Sequence, residues 1–203
     1  MFILIVSLSY ALAKKSMKDF TETPIGDNAL YLIRNKHKFS EALQTILQQM
    51  QNSSLSISFE RLFKGKKSAL VVFGPKKLLE KLVPILDLIE LEDYTDVDKG
   101  QVTAWEVKAL EKPKSLPELD ENEHFWWQLI LWGNLNAQSR CILVSNNADK
   151  KKALDQILPR LPKAFSNEQM LDFYKKRSFQ SVFESKYSLP QLLEFLLHPQ
   201  AKL

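Results

Sequence analysis

Two kinds of apolar pattern alternate along the chain. Ala42, Leu43, Ile46, Leu47 and Met50 recur at helical spacing and form one stripe, with Ser40 placed to cap it. The stretch LSISFERLF then switches to alternation. Leu55, Ile57, Phe59 and Phe63 fall on one face and Ser56, Ser58 and Glu60 on the other, which predicts a half-buried strand. Lys64-Gly65-Lys66-Lys67 predicts a turn, and the wholly apolar run Ala69–Phe73 predicts a strand covered on both faces. After Gly74-Pro75, residues Leu78, Leu79, Leu82, Val83, Leu86 and Ile89 make a second helical stripe, which Pro84 should kink or break. Val102–Ala109 alternates again, with Thr103, Trp105, Val107 and Ala109 on one face. Phe125–Trp132 and Ala137–Ser145 predict an antiparallel hairpin around Gly133-Asn134. From about Ala148 the stripe returns in Ala153, Leu154, Ile157, Leu158 and Leu161. Ser166 with Gln169 and Ser188 with Gln191 are capping-box pairs for two further helices, the last carrying Pro190 in its first turn.

The opening stretch Met1–Ala13 (MFILIVSLSYALA) is apolar and is followed by Lys14 and Lys15. No basic stretch precedes it, as a signal peptide requires, and it falls short of the ~20 residues of a spanning helix. Its Ile, Val and Tyr content favours a buried strand; a targeting or anchoring remnant is the alternative. Residues 14–38, punctuated by Pro24, Gly26, Asp27 and Asn28, read as a loop with a short helical or extended piece at NALYLI. The order over residues 1–111 is then strand, helix, strand, strand, helix, strand, the ferredoxin-like split βαβ arrangement. In that arrangement the first and third strands are central and the other two are edges, which suits their continuous and alternating patterns. Residues 112–203 read as a β-hairpin plus helices, a partial second β-β-α unit packed on the first. The expected class is α+β.

Composition narrows the chemistry. The chain has 203 residues, 45% apolar and 26% charged, ordinary globular usage. The lone Cys141 excludes an intramolecular disulfide framework or thiolate cluster and, between apolar neighbours, reads as a small core residue. His37, His124 and His198 show no ligand spacing, so no metal or cofactor is expected. His124 reads as a strand-boundary residue and His198 as a helix-end residue near the dipole's negative pole. With 28 basic against 24 acidic residues, the net charge of +4 is too mild for a dedicated nucleic-acid binder. Gly65-Lys66-Lys67-Ser68 resembles the tail of a phosphate-binding loop, but Glu60 stands where the other glycine belongs and a strand follows. No spacing isolates a nucleophile with its base, and no enzyme is expected.

Two features could serve a partner. Trp126, Trp127 and Trp132 put large rings on both faces of one strand, either to fill a core between two layers or to form a binding patch. Lys150, Lys151 and Lys152 sit in the first turn of a helix, against its dipole, with Asp149 as a partial offset. They read as a solvated face or as a site for an acidic partner or membrane headgroups. Lys175-Lys176-Arg177 falls at a helix end, where positive charge is favourable without any function.

In chain order, SISFERLF, ALVVFGPKKLLEKL, ELEDYTDV (Glu90–Val97), WEVKAL, SRCILVSNNADKKKALDQIL and the closing YSLPQLLEFLLHP resemble the N-terminal, non-catalytic region that precedes the motor in conjugative type IV secretion ATPases of bacteria. The chain departs from that pattern at Pro190-Gln191-Leu192, where the family favours acidic residues, and in its shortened second repeat. Leu203 falls where a Walker-type motor would begin, so the resemblance carries no nucleotide hydrolysis. It implies a docking role linking a motor to membrane components, with a separately encoded P-loop ATPase or a membrane secretion component as protein partner. It also implies a cytoplasmic location, with peripheral association at the inner face of the membrane as an extension of that. The alternative is a ferredoxin-like nucleic-acid-binding protein using the basic clusters.

Overall fold

The computed structural model describes residues 27–34, 38–50, 55–98, 101–108, 115–133, 136–178, 185–186 and 188–197. The strand expected at Met1–Ala13, together with His37 and His198, lies outside them. Alternating and continuous apolar runs become strands β1 (Asn28–Ile33), β2 (Ser56–Lys64), β3 (Lys67–Pro75), β4 (Leu88–Leu91), β5 (Val102–Val107), β6 (His124–Trp132), β7 (Asn136–Val144) and β8 (Ser185–Lys186). They form one antiparallel sheet in the order β4-β1-β3-β2-β6-β7-β5, with β8 also on β7. The helices are α1 (Phe39–Met50), α2 (Lys76–Leu79), α3 (Val83–Leu86), α4 (Ala148–Ile157), α5 (Asn167–Lys176) and α6 (Leu189–Leu197). The protein is α+β, with a larger sheet than the sequence suggested.

Local chemistry sets the turns. Register pairs Lys64 with Lys67, leaving Gly65-Lys66 as a two-residue loop. Gly65, at φ +52, supplies the positive φ at the first central position that such hairpins demand. The Gly-Lys-Lys-Ser motif is therefore a turn. Pro84 breaks the second helical stripe as expected: a 3₁₀ turn at Glu80–Leu82 separates α2 from α3, which holds Pro84 in its first turn. Asp87, at φ 50, stops α3, and the chain leaves extended.

Several expectations are corrected here. Asn28–Ile33, expected as a short helical or extended piece within a loop, is a full strand with five buried residues, lying between β3 and β4. Leu88–Leu91, which continued the helical stripe, is the edge strand β4. Val102–Val107, within the stretch Val102–Ala109 expected as the fourth strand of the first unit, pairs instead with β7 at the opposite edge. β2 is not an edge: it lies between β3 and β6, paired with β6 over nine positions. Alternation reports which face a side chain takes, and it carries no information on which strand lies next door.

Both faces of the sheet are covered. On one, Ile57, Phe59, Val72, Trp127 and Leu129 pack against Phe39, Leu43, Ile46 and Met50 of α1, with Leu154, Leu192 and Leu196 from α4 and α6. Arg61 reaches the end of α6 and donates to the Leu196 carbonyl. On the other face, Trp126 and Ile142 meet Met170, Leu171 and Tyr174 of α5. Ser58 and Glu60, expected at solvent, lie beneath this second layer at 1% and 0% exposure.

A buried polar cluster fastens that layer. The Ser166–Gln169 capping box starts α5, and Arg177, at φ 48, ends it. The left-handed turn directs the Arg177 guanidinium back onto the sheet. Its Nε donates to Glu60 Oε1 (3.0 Å) and its Nη1 to Asp93 Oδ2 (2.6 Å). Glu60 also accepts from Ser58 Oγ (2.9 Å), Gln128 Nε2 (3.0 Å) and the Tyr94 hydroxyl, which touches the Tyr174 hydroxyl at 2.9 Å. Burial, and then the charge of Glu60, push both phenols well above their usual range, so they stay protonated. Burial would raise the Asp93 carboxyl, but the Arg177 guanidinium outweighs it and holds it low. Arg140, also fully buried, has no carboxylate in ion-pair range among the described residues. It donates through Nη2 to Gln138 Oε1 and the Ser178 carbonyl, while Nε and Nη1 make no hydrogen bond.

Arg177→Met strands two carboxylates and should lower unfolding free energy by about 3–5 kcal/mol in urea titrations. Arg140→Met strands none and should cost less. A second expectation concerns pH. Burial and then Lys64 push the His124 imidazole down to about 4, against 6.5 in a free chain. The unfolded chain therefore takes up the proton first. The stability from neutral His124 is complete above about pH 6.5 and is lost as pH falls toward 4. His124→Gln should flatten that part of the urea-midpoint profile.

Candidate functional site

The β5 edge is finished by a segment that approaches, leaves and returns. α4 ends at Leu158, whose extended backbone is what the following Pro159 favours. The chain then lies antiparallel on β5 for a few residues: Lys108 N donates to Pro159 O (2.7 Å), Leu161 N donates to Glu106 O (2.9 Å), and Arg160 bridges Val107. Pro162 has no N–H to continue the pairing, and the chain arches away. It comes back at Asn167, whose side-chain amide substitutes for strand backbone, donating to Val102 O (3.2 Å) and accepting from Ala104 N (3.3 Å).

Between the Pro162–Phe165 arch, β5 and α4 lies a groove of about 680 Å³. Trp105, Lys151, Asp155, Arg160, Lys163 and Phe165 are among its lining residues. Asp155 Oδ1 accepts from Trp105 Nε1 (2.7 Å) and from Arg160 Nη1 (2.8 Å), which fixes one wall to the floor. Lys163 Nζ reaches Asn167 Oδ1 (3.3 Å), across the neck of the arch.

The three lysines of α4 separate into three roles. Asn147 caps the helix, accepting from the N–H groups of Asp149 and Lys150. Lys150 turns inward, pairing with Asp120 (2.8 Å) and Glu123. Burial works against the charges of Lys150 and Glu123, but their mutual contact and bonds to the Asp120 turn prevail, so the lysine is raised and the carboxyl lowered. Lys151 is exposed and lines the groove, and Lys152 is exposed outside it.

The tryptophans do not join them. Trp126 (2% exposed) meets Tyr94 edge-on and Tyr174 at a tilt, while Trp127 (0%) faces the opposite core and donates to Ser139 Oγ (2.6 Å). Trp132 is half-buried at the far end of β6, roughly 27 Å along the strand from the Glu123 end that Lys150 touches. Of the six sequence-flagged residues, the structure brings only Lys151 to the groove.

Sequence reading missed Trp105, Asp155, Arg160, Lys163 and Asn167 as a group. Their local signal was Leu158-Pro159-Arg160-Leu161-Pro162, two prolines that must end a helix and interrupt a strand contact in turn. Elsewhere, burial pushes the Cys141 thiol well up, away from thiolate chemistry. Among the described residues no His, Cys, Asp and Glu grouping could hold a metal ion, and no helix is long and apolar enough to cross a membrane. Comparison with protein-family models and with curated proteins finds no match for the chain.

Asn167→Ala removes both side-chain bonds to β5. The Ala104 amide should lose hydrogen-exchange protection by about tenfold, the equivalent of one net hydrogen bond. Amides of β3, remote from the edge, should keep theirs.

Proposed function

We propose that the protein is a non-enzymatic docking module resembling the N-terminal domain of type IV secretion ATPases, joining a P-loop motor to membrane components at the inner face of the cytoplasmic membrane. The observation that carries the reading is the β5 groove. It is an open, cation-rimmed recess beside an edge strand, in a molecule whose sheet is otherwise covered on both faces. Because the β5 edge is already hydrogen-bonded by residues 159–161 and by Asn167, a partner segment would seat in the recess through side-chain contacts. The order β1-α1-β2-β3-α2/α3-β4, with strands arranged β4-β1-β3-β2, supports a ferredoxin-like unit over Asn28–Leu91. The hairpin β6–β7 followed by α4 supports the partial second unit.

The purified chain should show no ATP turnover above a buffer control in a coupled assay. Immobilised on resin and exposed to solubilised membrane fraction, it should retain a P-loop ATPase or a secretion-channel component identified by mass spectrometry. Turnover that co-elutes with the chain through a second column, or retention of neither component, overturns the reading.

A further inference from the structure

Charge around the β5 groove is left unbalanced by the fold itself. Asp155 is shared by Arg160 and Trp105, the lining's other carboxylate, Glu106, is buried and accepts from Gln138 Nε2 (3.2 Å), and Lys150 is held by Asp120 and Glu123. Lys151 on the α4 wall and Lys163 on the arch have no carboxylate partner among the described residues. The apolar residues of the lining are the buried Leu158 and Met170 and, on the arch, the half-buried Phe165. The volume of about 680 Å³ is within the usual range for a small-ligand or peptide recess. Such a recess complements a chain that is anionic on its flanks and apolar in the middle.

Resting on the docking reading, we infer that the groove between α4 and the Pro162–Phe165 arch receives an extended acidic segment of the partner protein, its carboxylates at Lys151 and Lys163 and an apolar side chain between them toward Phe165. Arg160 stays with Asp155 and sets the depth of the recess. The segment runs beside β5, whose edge is held at one end by the Leu161 backbone and at the other by the Asn167 amide. Nucleic acid fits less well. Trp105 is only 7% exposed and its N–H is taken by Asp155, so it presents no face for a base to stack on. Two cations without carboxylate partners, one on α4 and one on the arch, do not follow a run of phosphates.

The test is fluorescence anisotropy with a labelled short peptide of alternating glutamate and leucine, its lysine-for-glutamate counterpart, and a labelled single-stranded oligonucleotide. The glutamate peptide should bind the wild-type chain, and Lys151→Glu/Lys163→Glu should weaken it by about tenfold or more. Lys77→Glu/Lys81→Glu makes the same charge change on exposed residues outside the groove, and should alter affinity by no more than about twofold. Equal affinity for wild type and groove variant overturns the inference, as does tighter binding of the oligonucleotide or of the lysine peptide. Both variants are also passed through the membrane-fraction capture. If the groove variant retains the ATPase or channel component as well as wild type does, the groove assignment falls and the docking reading stands. If wild type retains neither while the glutamate peptide still binds through the lysines, the docking reading falls and the groove's preference for acidic chains stands.

Discussion

The second layer of this protein depends on one arginine. Arg177 ends α5 in a left-handed turn and inserts its guanidinium between Glu60 on β2 and Asp93 in the segment after β4. Three regions far apart in sequence meet at that point. Glu60, fully buried beneath the helix, would be an uncompensated charge without the cation, while Asp93 meets the same guanidinium from a partly exposed position. Because α5 is fixed there, Asn167 at its other end is fixed too, and with it the far limit of the groove. The clamp therefore reaches the surface site through one rigid helix.

The clamp also explains why a strand that reads as half-exposed is fully enclosed. Ser58, Glu60 and Gln128 form a polar strip across β2 and β6, and α5 covers that strip without expelling its polarity. Most of the lone pairs and N–H groups there find partners within the protein, as burial of such groups requires. The phenols of Tyr94 and Tyr174 complete the arrangement from above. The opposite face is closed by ordinary apolar packing with α1, α4 and α6.

What could be read from sequence was what neighbouring residues decide. The β2–β3 and β6–β7 hairpins, the stripe of α1, the start of α4, the cap of α5 and the break at Pro84 all rest on spacing within a few residues, whereas the apolar stripe expected along α4 shrinks to Leu154, with Ile157 exposed and Leu161 beyond the helix. What escaped reading depended on contacts across the fold. Leu88–Leu91 carried a helical apolar phase and became a strand because Asp87 turns the chain beside β1. Glu60 looked wet because its cover comes from more than a hundred residues away. Arg177 looked like the last member of a basic run, and only its backbone turn distinguishes it from half-buried Lys175 and exposed Lys176. At the groove, Lys151 was flagged with its two neighbours, yet helix geometry gives each of the three a different direction.

The β2–β6 pairing has a mechanical consequence. It joins the two halves of the sheet along nine matched positions, from Ser56–Trp132 to Lys64–His124. Tension applied parallel to the strands would load all of these rungs simultaneously, in shear, whereas a pull across them would open the seam one rung at a time. The molecule is therefore stiff along one axis and weaker along the perpendicular one.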